Sequence, residues 1–69
     1  MRLSTRSQLT GTVHDVRLGA AMAVVKVTLT GGQQITASIT REAADDLDLH
    51  EGAPVTVLIK STEVMLGVE

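Results

Sequence analysis

The chain has no cysteine, phenylalanine, tyrosine or tryptophan among its 69 residues. Without cysteine no disulfide can form, and without aromatic rings the core must consist of aliphatic side chains, which bury less area each. A chain of this length buries only about 60% of the surface that its unfolded form exposes, so a core of its own is marginal. We therefore expect residues 1–69 to form a single domain that gains stability by associating with further copies of itself.

Long apolar runs and a basic charge balance are also missing. No apolar segment approaches the ~20 residues that span a membrane, and the first residues, MRLSTRSQL, contain no apolar stretch typical of a secretory signal. The formal net charge is −2, whereas nucleic-acid binders neutralise phosphates with lysine and arginine and often stack bases on aromatic rings. These absences predict a cytoplasmic protein that has neither a membrane nor a nucleic acid as its partner.

Catalytic and metal-binding motifs are lacking as well. His14 and His50 are the only histidines, and neither lies at ligand spacing from a carboxylate. No nucleophile motif accompanies them. Four carboxylates lie within DDLDLHE, residues 45–51, but their spacing matches no calcium loop, so they indicate a solvated acidic face. The sequence therefore predicts neither an enzyme nor a protein with a redox cofactor or direct metal ligands.

What the sequence does contain is a regular alternation of apolar and polar residues. This alternation predicts five strands, over residues 9–18, 22–29, 33–40, 54–59 and 63–68, with turns at 19–21 and 30–32. In the first strand, Leu9 and Val13 would lie on one face of the sheet, but the apolar residues that follow them would lie on the opposite face. A period of two allows this change only if an extra residue is inserted. A β-bulge is therefore expected near His14 and Asp15.

The segment TREAADDLDL breaks the alternation and is typical of a short helix. Thr40 can accept a hydrogen bond from the first turn as the N-cap residue. About two turns are expected, ending near Asp48. Ala43, Ala44 and Leu47 would then form a narrow apolar stripe that covers one end of the sheet.

The order of these elements indicates the class of fold. Five short strands with a helix between the third and the fourth predict an all-β domain, a small five-stranded OB-like barrel. Closing the sheet also removes the exposed edge strands that an open sheet would leave. A twisted open sheet with the helix lying across it is the alternative.

Two clusters of hydroxyl and cationic side chains interrupt this aliphatic pattern. The first is STRSQL, residues 4–9, and the second is IKST, residues 59–62. In the predicted barrel the second cluster forms a corner before the last strand, where consecutive backbone N–H groups can attract an anion. Arginine adds a planar fork of donors and lysine a compact charge, so the two clusters together suit a tetrahedral oxyanion. A solvated terminus and a plain turn are the alternative interpretation.

Both clusters resemble motifs of a known protein family. Together with GG followed by a polar, isoleucine-containing strand, and with VLIKSTEVMLG at residues 57–67, they resemble the molbindins, also called molybdenum–pterin-binding or Mop proteins. The TOBE-type domain of this family recurs in molybdate-responsive regulators and transporter ATPases. The family's first motif, typically Ser-Ala-Arg-Asn-Gln, reads Ser4-Thr5-Arg6-Ser7-Gln8 here, and its closing Lys-Ser/Ala-Ser/Thr motif is matched by Lys60, Ser61 and Thr62. The resemblance extends from about residue 2 to residue 67.

The resemblance implies an OB-like barrel that assembles as a homohexamer, a trimer of dimers whose chains exchange or pair strands. It also implies molybdate or tungstate bound as an oxyanion at subunit interfaces, so that molybdenum needs no direct protein ligand. The implied oxyanion-binding residues are Ser4, Thr5, Arg6, Ser7, Lys60 and Ser61. A second oxyanion site near the symmetry axis is implied as well. Gly19 and Ala20 in the turn LGAA are candidates for it, with a plain hairpin turn as the competing interpretation.

The function that the resemblance implies is intracellular storage and homeostasis of molybdate or tungstate, by reversible binding without catalysis. A ligand-responsive regulatory module, whose oxyanion-bound state is read by a partner protein, is the alternative. A generic OB domain for single-stranded nucleic acid is a third interpretation, which the missing aromatic residues and the negative charge disfavour.

Overall fold

A computed structural model of the chain describes residues 7–69. The elements are β1 (Ser7–Leu18), β2 (Met22–Leu29), β3 (Gln34–Thr40), the helix α1 (Arg41–Asp46), β4 (Pro54–Ile59) and a 3-10 turn (Ser61–Glu63). The paired strands are antiparallel, in the order β3-β2-β1-β4. The predicted all-β class, with a short helix after the third strand, is confirmed as a curled sheet. In this part of the chain, no helix is long and apolar enough to cross a lipid bilayer.

β1 is the longest strand and pairs with two neighbours. Its first half lies against β4, beginning with Ser7 opposite Ile59, and its second half lies against β2. The register against β2 shifts between Val13 and Asp15. His14 is therefore the extra residue, and the predicted bulge is confirmed. Because a bulge bends the strand that carries it, β1 can serve both halves of the sheet.

The core lies on one face of the sheet. Val13, Val25 and Val27 are almost fully buried, together with Ala53 from the loop before β4. Partly buried residues that pack against them are Val16, Leu29, Ile35, Ile39, Leu49, Val55 and Val57. In β3 every second residue is half-buried, as the alternation predicted. No polar or charged side chain of residues 7–69 is buried in this core, which is entirely aliphatic.

The helix α1 begins as the sequence predicts. The hydroxyl of Thr40 accepts a hydrogen bond from the backbone N–H of Ala43 at 3.1 Å. Ala44 is buried against the sheet, with 3% of its surface exposed. The cap and this one buried residue fix the helix at the end of β3.

The end of α1 differs from the prediction. The helix ends at Asp46, and the chain then reverses through Asp48, which has a φ of 51°. The N–H of Asp48 donates to the Asp45 carbonyl at 3.1 Å, and the N–H of Leu49 donates to the Ala44 carbonyl at 3.2 Å, the pattern of a Schellman motif. This reversal leaves Leu47 67% exposed, so the predicted apolar stripe is wrong at that residue.

The predicted fifth strand over residues 63–68 is also wrong, and the described sheet has four strands instead of five. Residues 64–69 are all exposed and belong to no strand. Val64 nevertheless has extended backbone angles, with φ −84° and ψ 126°. A strand requires a neighbour that accepts and donates its backbone hydrogen bonds. Within residues 7–69 this segment has no such neighbour, although its backbone begins in a strand-like conformation.

Candidate functional site

The second polar cluster lies at the end of β4, beside the start of β1. Ser7, the first residue of β1, pairs with Ile59, the last residue of β4 and the neighbour of Lys60. Ser7 is half-buried, whereas Lys60 and Ser61 are exposed. Three other predicted site residues lie outside the described residues: Ser4, Thr5 and Arg6. The antiparallel pairing of β1 with β4 thus places Ser7 of the first motif next to the segment that begins the second.

A tight turn follows β4 and determines which donors are free. The N–H of Glu63 donates to the Lys60 carbonyl at 2.9 Å, and the N–H of Val64 donates to the Ser61 carbonyl at 3.4 Å. The N–H groups of Ser61 and Thr62 have no acceptor within residues 7–69. Two N–H groups without an acceptor among residues 7–69, two hydroxyls and one ammonium group therefore occur in three consecutive residues. Such a set can donate to several oxygens of one anion.

The charged groups of this donor set and of the turn that contains it are Lys60 and Glu63. The salt bridges formed within the described part of the chain are Arg17–Asp15 and Arg41–Asp45, and neither involves Lys60. The ammonium group of Lys60 is therefore not neutralised by a described carboxylate. Glu63 contributes one exposed negative charge to the same turn, which solvent and salt screen. The donors of residues 60–62 are thus exposed on the surface of the described part of the chain.

The candidate second site is the turn that joins β1 to β2. The N–H of Gly19 donates to the Met22 carbonyl at 2.8 Å, which closes the turn. A groove of about 560 Å³ lies beside it, lined by Ala20, Ala21, Thr40, Arg41, Glu42, Asp45 and Asp46. Three carboxylates and one guanidinium group give this groove a negative balance. The groove itself therefore does not suit an oxyanion.

Arg41 is the residue near this turn that the sequence analysis missed. Its Nη1 donates to the Gly19 carbonyl at 3.2 Å, and its backbone N–H donates to the Ala21 carbonyl at 2.9 Å. Its Nε donates to both carboxylate oxygens of Asp45 at 3.3 Å. Arg41 and Gly19 are 22 residues apart, so no local motif could reveal the contact. It depends on the pairing of β2 with β3, which brings the turn to the start of α1.

The two histidines lie apart from both candidate sites. His14 is the exposed bulge residue of β1. His50 is exposed, and its Nδ1 lies 2.9 Å from the Asp48 carbonyl oxygen. Among residues 7–69 no group of three or more His, Asp or Glu side chains is arranged to hold a metal ion. The N–H, hydroxyl and ammonium donors described above suit an anion.

The chain matches the family model of the TOBE domain over residues 3–66. It is 39% identical to molybdenum-pterin-binding protein 1 of Clostridium pasteurianum over 66 residues, which are 96% of this chain and 97% of that protein. The match spans both polar clusters, and it covers nearly the whole length of the relative.

Two solved structures share the fold. MopII from Clostridium pasteurianum, in an apo form, has a TM-score of 0.92 at 36% identity, over 97% of this chain and 100% of that one. The cytoplasmic molybdate-binding protein ModG, with molybdate bound, has a TM-score of 0.94 at 45% identity, over 100% of this chain and 49% of that one. The chain belongs to the TOBE domain family and, within it, to the molybdenum-pterin-binding proteins, the molbindins.

Proposed function

We propose that the protein binds molybdate or tungstate as an intact oxyanion and serves as a reversible cytoplasmic store of it. The observation that carries this proposal is the donor set of residues 60–62, which lies beside the start of β1 and includes two N–H groups without an acceptor among residues 7–69. A relative of 45% identity with molybdate bound supports the choice of ligand. In this proposal residues 1–69 act as one domain that performs no catalysis.

The chemistry of the donors fits a ligand whose metal is already coordinated by its own oxygens. Such an ion requires hydrogen-bond donors and positive charge, which Lys60, Ser61 and Arg6 supply in this proposal, with Ser4, Thr5 and Ser7 as further polar groups. A limit of about 1.5 kcal/mol per non-hydrogen atom gives a five-atom ligand about 7.5 kcal/mol, a roughly micromolar dissociation constant. Charge-assisted hydrogen bonds of about 1.5–3 kcal/mol each could tighten this value. Affinity in this range allows release as well as uptake.

We further propose that the sites lie at subunit interfaces of a homo-oligomer, a hexamer built as a trimer of dimers. Two apolar surfaces that no part of residues 7–69 covers support self-association. The first is the C-terminal segment, residues 64–69, in which Met65 is 92% exposed and Leu66 is 94% exposed. The second is a groove of about 240 Å³ at the open side of the core, lined mainly by aliphatic side chains that include Leu49 and Val57. Each large side chain of the segment that is buried in another copy would contribute about 1.5–3 kcal/mol.

Assembly of this kind also explains how so short a chain could surround an ion. The exposed C-terminal segment is separated from the donor set of residues 60–62 by one residue, Glu63. If the segment docks on a second copy, it brings that donor set against the second copy's surface. Donors from two chains can then face the same anion from different sides.

The proposed function predicts that Lys60→Ala weakens molybdate binding roughly ten- to hundredfold, because one charge-assisted contact is lost. Arg6→Ala is expected to have an effect of the same size. The measurement is isothermal titration of the full chain with sodium molybdate, with circular dichroism to verify the fold.

Lys26→Ala is the matched control, because it removes the same charge from β2, away from residues 60–62. It should leave the dissociation constant within about twofold of the wild-type value. Unchanged binding in both Lys60→Ala and Arg6→Ala, with the fold intact, would reject the proposed function.

A further inference from the structure

Glu63 is the acidic residue of the turn that contains the proposed donor set. It ends the 3-10 turn Ser61–Glu63 and directly follows Thr62. Its backbone N–H donates to the Lys60 carbonyl at 2.9 Å, which closes a hydrogen-bonded turn over residues 60–63. In a turn of this kind the first and fourth Cα atoms lie within about 7 Å of each other. The backbone therefore holds a carboxylate close to the residues that we propose to bind the anion.

The charge of Glu63 is not neutralised within the described part of the chain. The side chain is exposed. The ion pairs among residues 7–69 are Arg17–Asp15 and Arg41–Asp45, so Lys60 does not pair with Glu63 although only two residues separate them. An exposed carboxylate without a described cationic partner thus lies beside the donors of residues 60–62.

The turn does not need this carboxylate to form. The two hydrogen bonds that close it run from the backbone N–H groups of Glu63 and Val64 to the carbonyls of Lys60 and Ser61. A neutral side chain of the same shape at residue 63 would keep both bonds. The charge of Glu63 can therefore be removed without removing the structure that holds the donors.

A carboxylate in this position acts against a bound oxyanion. The repulsion between like charges is proportional to the product of the charges, so a dianion is repelled twice as strongly as a monoanion at the same distance. Solvent weakens this repulsion at an exposed site, whereas a site from which a second copy excludes water would strengthen it. Salt weakens it as well, because the Debye length shortens as the ionic strength rises.

We propose that Glu63 limits the affinity of the oxyanion site, because its carboxylate repels the dianion held by the donors of residues 60–62. The inference rests on the proposed function, since it assigns control of affinity at that same site to a residue outside the proposed ligand set. A repelling charge fixed next to the donors favours release of the ion, as a reversible store requires.

The test is isothermal titration of the full chain with sodium molybdate at low and at high salt. Glu63→Gln keeps the shape of the side chain and removes its charge. It should lower the dissociation constant about three- to tenfold at an ionic strength of about 0.01 M, where the Debye length is about 30 Å. At about 1 M the Debye length is about 3 Å, and the gain should shrink to less than about twofold. A gain caused by altered packing would not depend on salt in this way.

A ligand of lower charge isolates the repulsion. Perrhenate is a tetrahedral oxyanion like molybdate, but it carries one negative charge instead of two. Because the repulsion scales with the charge of the ligand, the gain for perrhenate in Glu63→Gln should be the square root of the gain for molybdate, about two- to threefold. Competition against bound molybdate measures this affinity where direct titration is too insensitive.

Two control variants separate a local charge effect from other causes. Glu63→Asp keeps the charge and should bind molybdate within about twofold of the wild-type protein. Glu51→Gln removes the same charge from the exposed loop before β4, at the far end of a six-residue strand from Lys60, which is about 20 Å long. It should leave the dissociation constant nearly unchanged. Circular dichroism and light scattering verify the fold and the mass of each variant.

The outcomes distinguish this inference from the proposed function. If the wild-type protein binds molybdate and Glu63→Gln binds it no more tightly, the inference fails and the proposed function stands. An equal gain in Glu51→Gln would also overturn the inference, as would a gain that high salt does not reduce. If neither the wild-type protein nor Glu63→Gln binds molybdate, the proposed function fails and the inference fails with it. Should Glu63→Gln not fold, Glu63→Ala takes its place, with the same expected gain and the same contradicting results.

Discussion

β3 and the C-terminal segment, residues 64–69, are both rich in aliphatic residues, yet they have opposite environments. In β3 Ile35 and Ile39 are half-buried, and the strand is hydrogen-bonded to β2. In the C-terminal segment Met65 and Leu66 are more than 90% exposed, and no strand of residues 7–69 pairs with it. The comparison shows that an aliphatic segment can be buried and paired within its own chain or stay available for contact with another copy. Our proposed site adjoins the segment that stays exposed.

The largest expected effect comes from substitutions in the exposed C-terminal segment. The double substitution Met65→Asp with Leu66→Asp places two charges on the surface that we propose to dock on a second copy. Because burying an unpaired charge is strongly unfavourable, the protein should dissociate to smaller species and lose most of its molybdate binding. Light scattering after size-exclusion chromatography measures the mass, and titration measures the binding.

Gln33→Asp with Gly31→Asp is the control for added charge, because both residues lie in the exposed β2–β3 turn. That variant should keep the wild-type mass. An unchanged mass for the double substitution at residues 65 and 66 would show that the segment is not what holds the copies together.

A smaller effect is expected from a substitution in the strands that pair within the chain. A Cβ at Gly11 would lie 2.7 Å from the Thr28 carbonyl oxygen and 2.8 Å from Cγ1 of Val27, so β1 and β2 would have to separate. Gly11→Ala should therefore lower the free energy of unfolding by about 1–3 kcal/mol, measured by urea denaturation at fixed protein concentration. Gly31→Ala, where a Cβ would meet nothing within 4 Å, should change it little. Equal stabilities of the two variants would contradict the packing described here.

Local patterns explain why much of the fold could be predicted. After Val13 the apolar residues of β1 change from one face to the other, which requires an extra residue, and the register shift lies at His14. The hydroxyl of Thr40, placed before a run of helix formers, caps α1. In each case the cause lies within a few residues of its effect, so the sequence alone contains the information.

The features that could not be predicted depend on contacts between distant residues or between chains. The helix ends early because Asp48 adopts a positive φ angle, where glycine is the usual signal. The contact of Arg41 with Gly19 exists only once β2 and β3 have paired. The pattern of residues 63–68 indicated a strand, but a pattern cannot show which chain supplies the neighbour. The oxyanion-binding roles of Ser4, Thr5, Arg6, Ser7, Lys60 and Ser61 stay predictions.

The most direct test of a site shared between subunits is a complementation experiment with two defective variants. Arg6→Ala and Lys60→Ala chains are each titrated with molybdate alone, and then after being unfolded together and refolded as a mixture. If Arg6 of one chain and Lys60 of another face the same anion, some sites in the mixed oligomers contain both wild-type residues, and tight binding should reappear in that fraction. If the mixture binds no more molybdate than the average of the two separate variants, the site is not shared between chains and our account is contradicted.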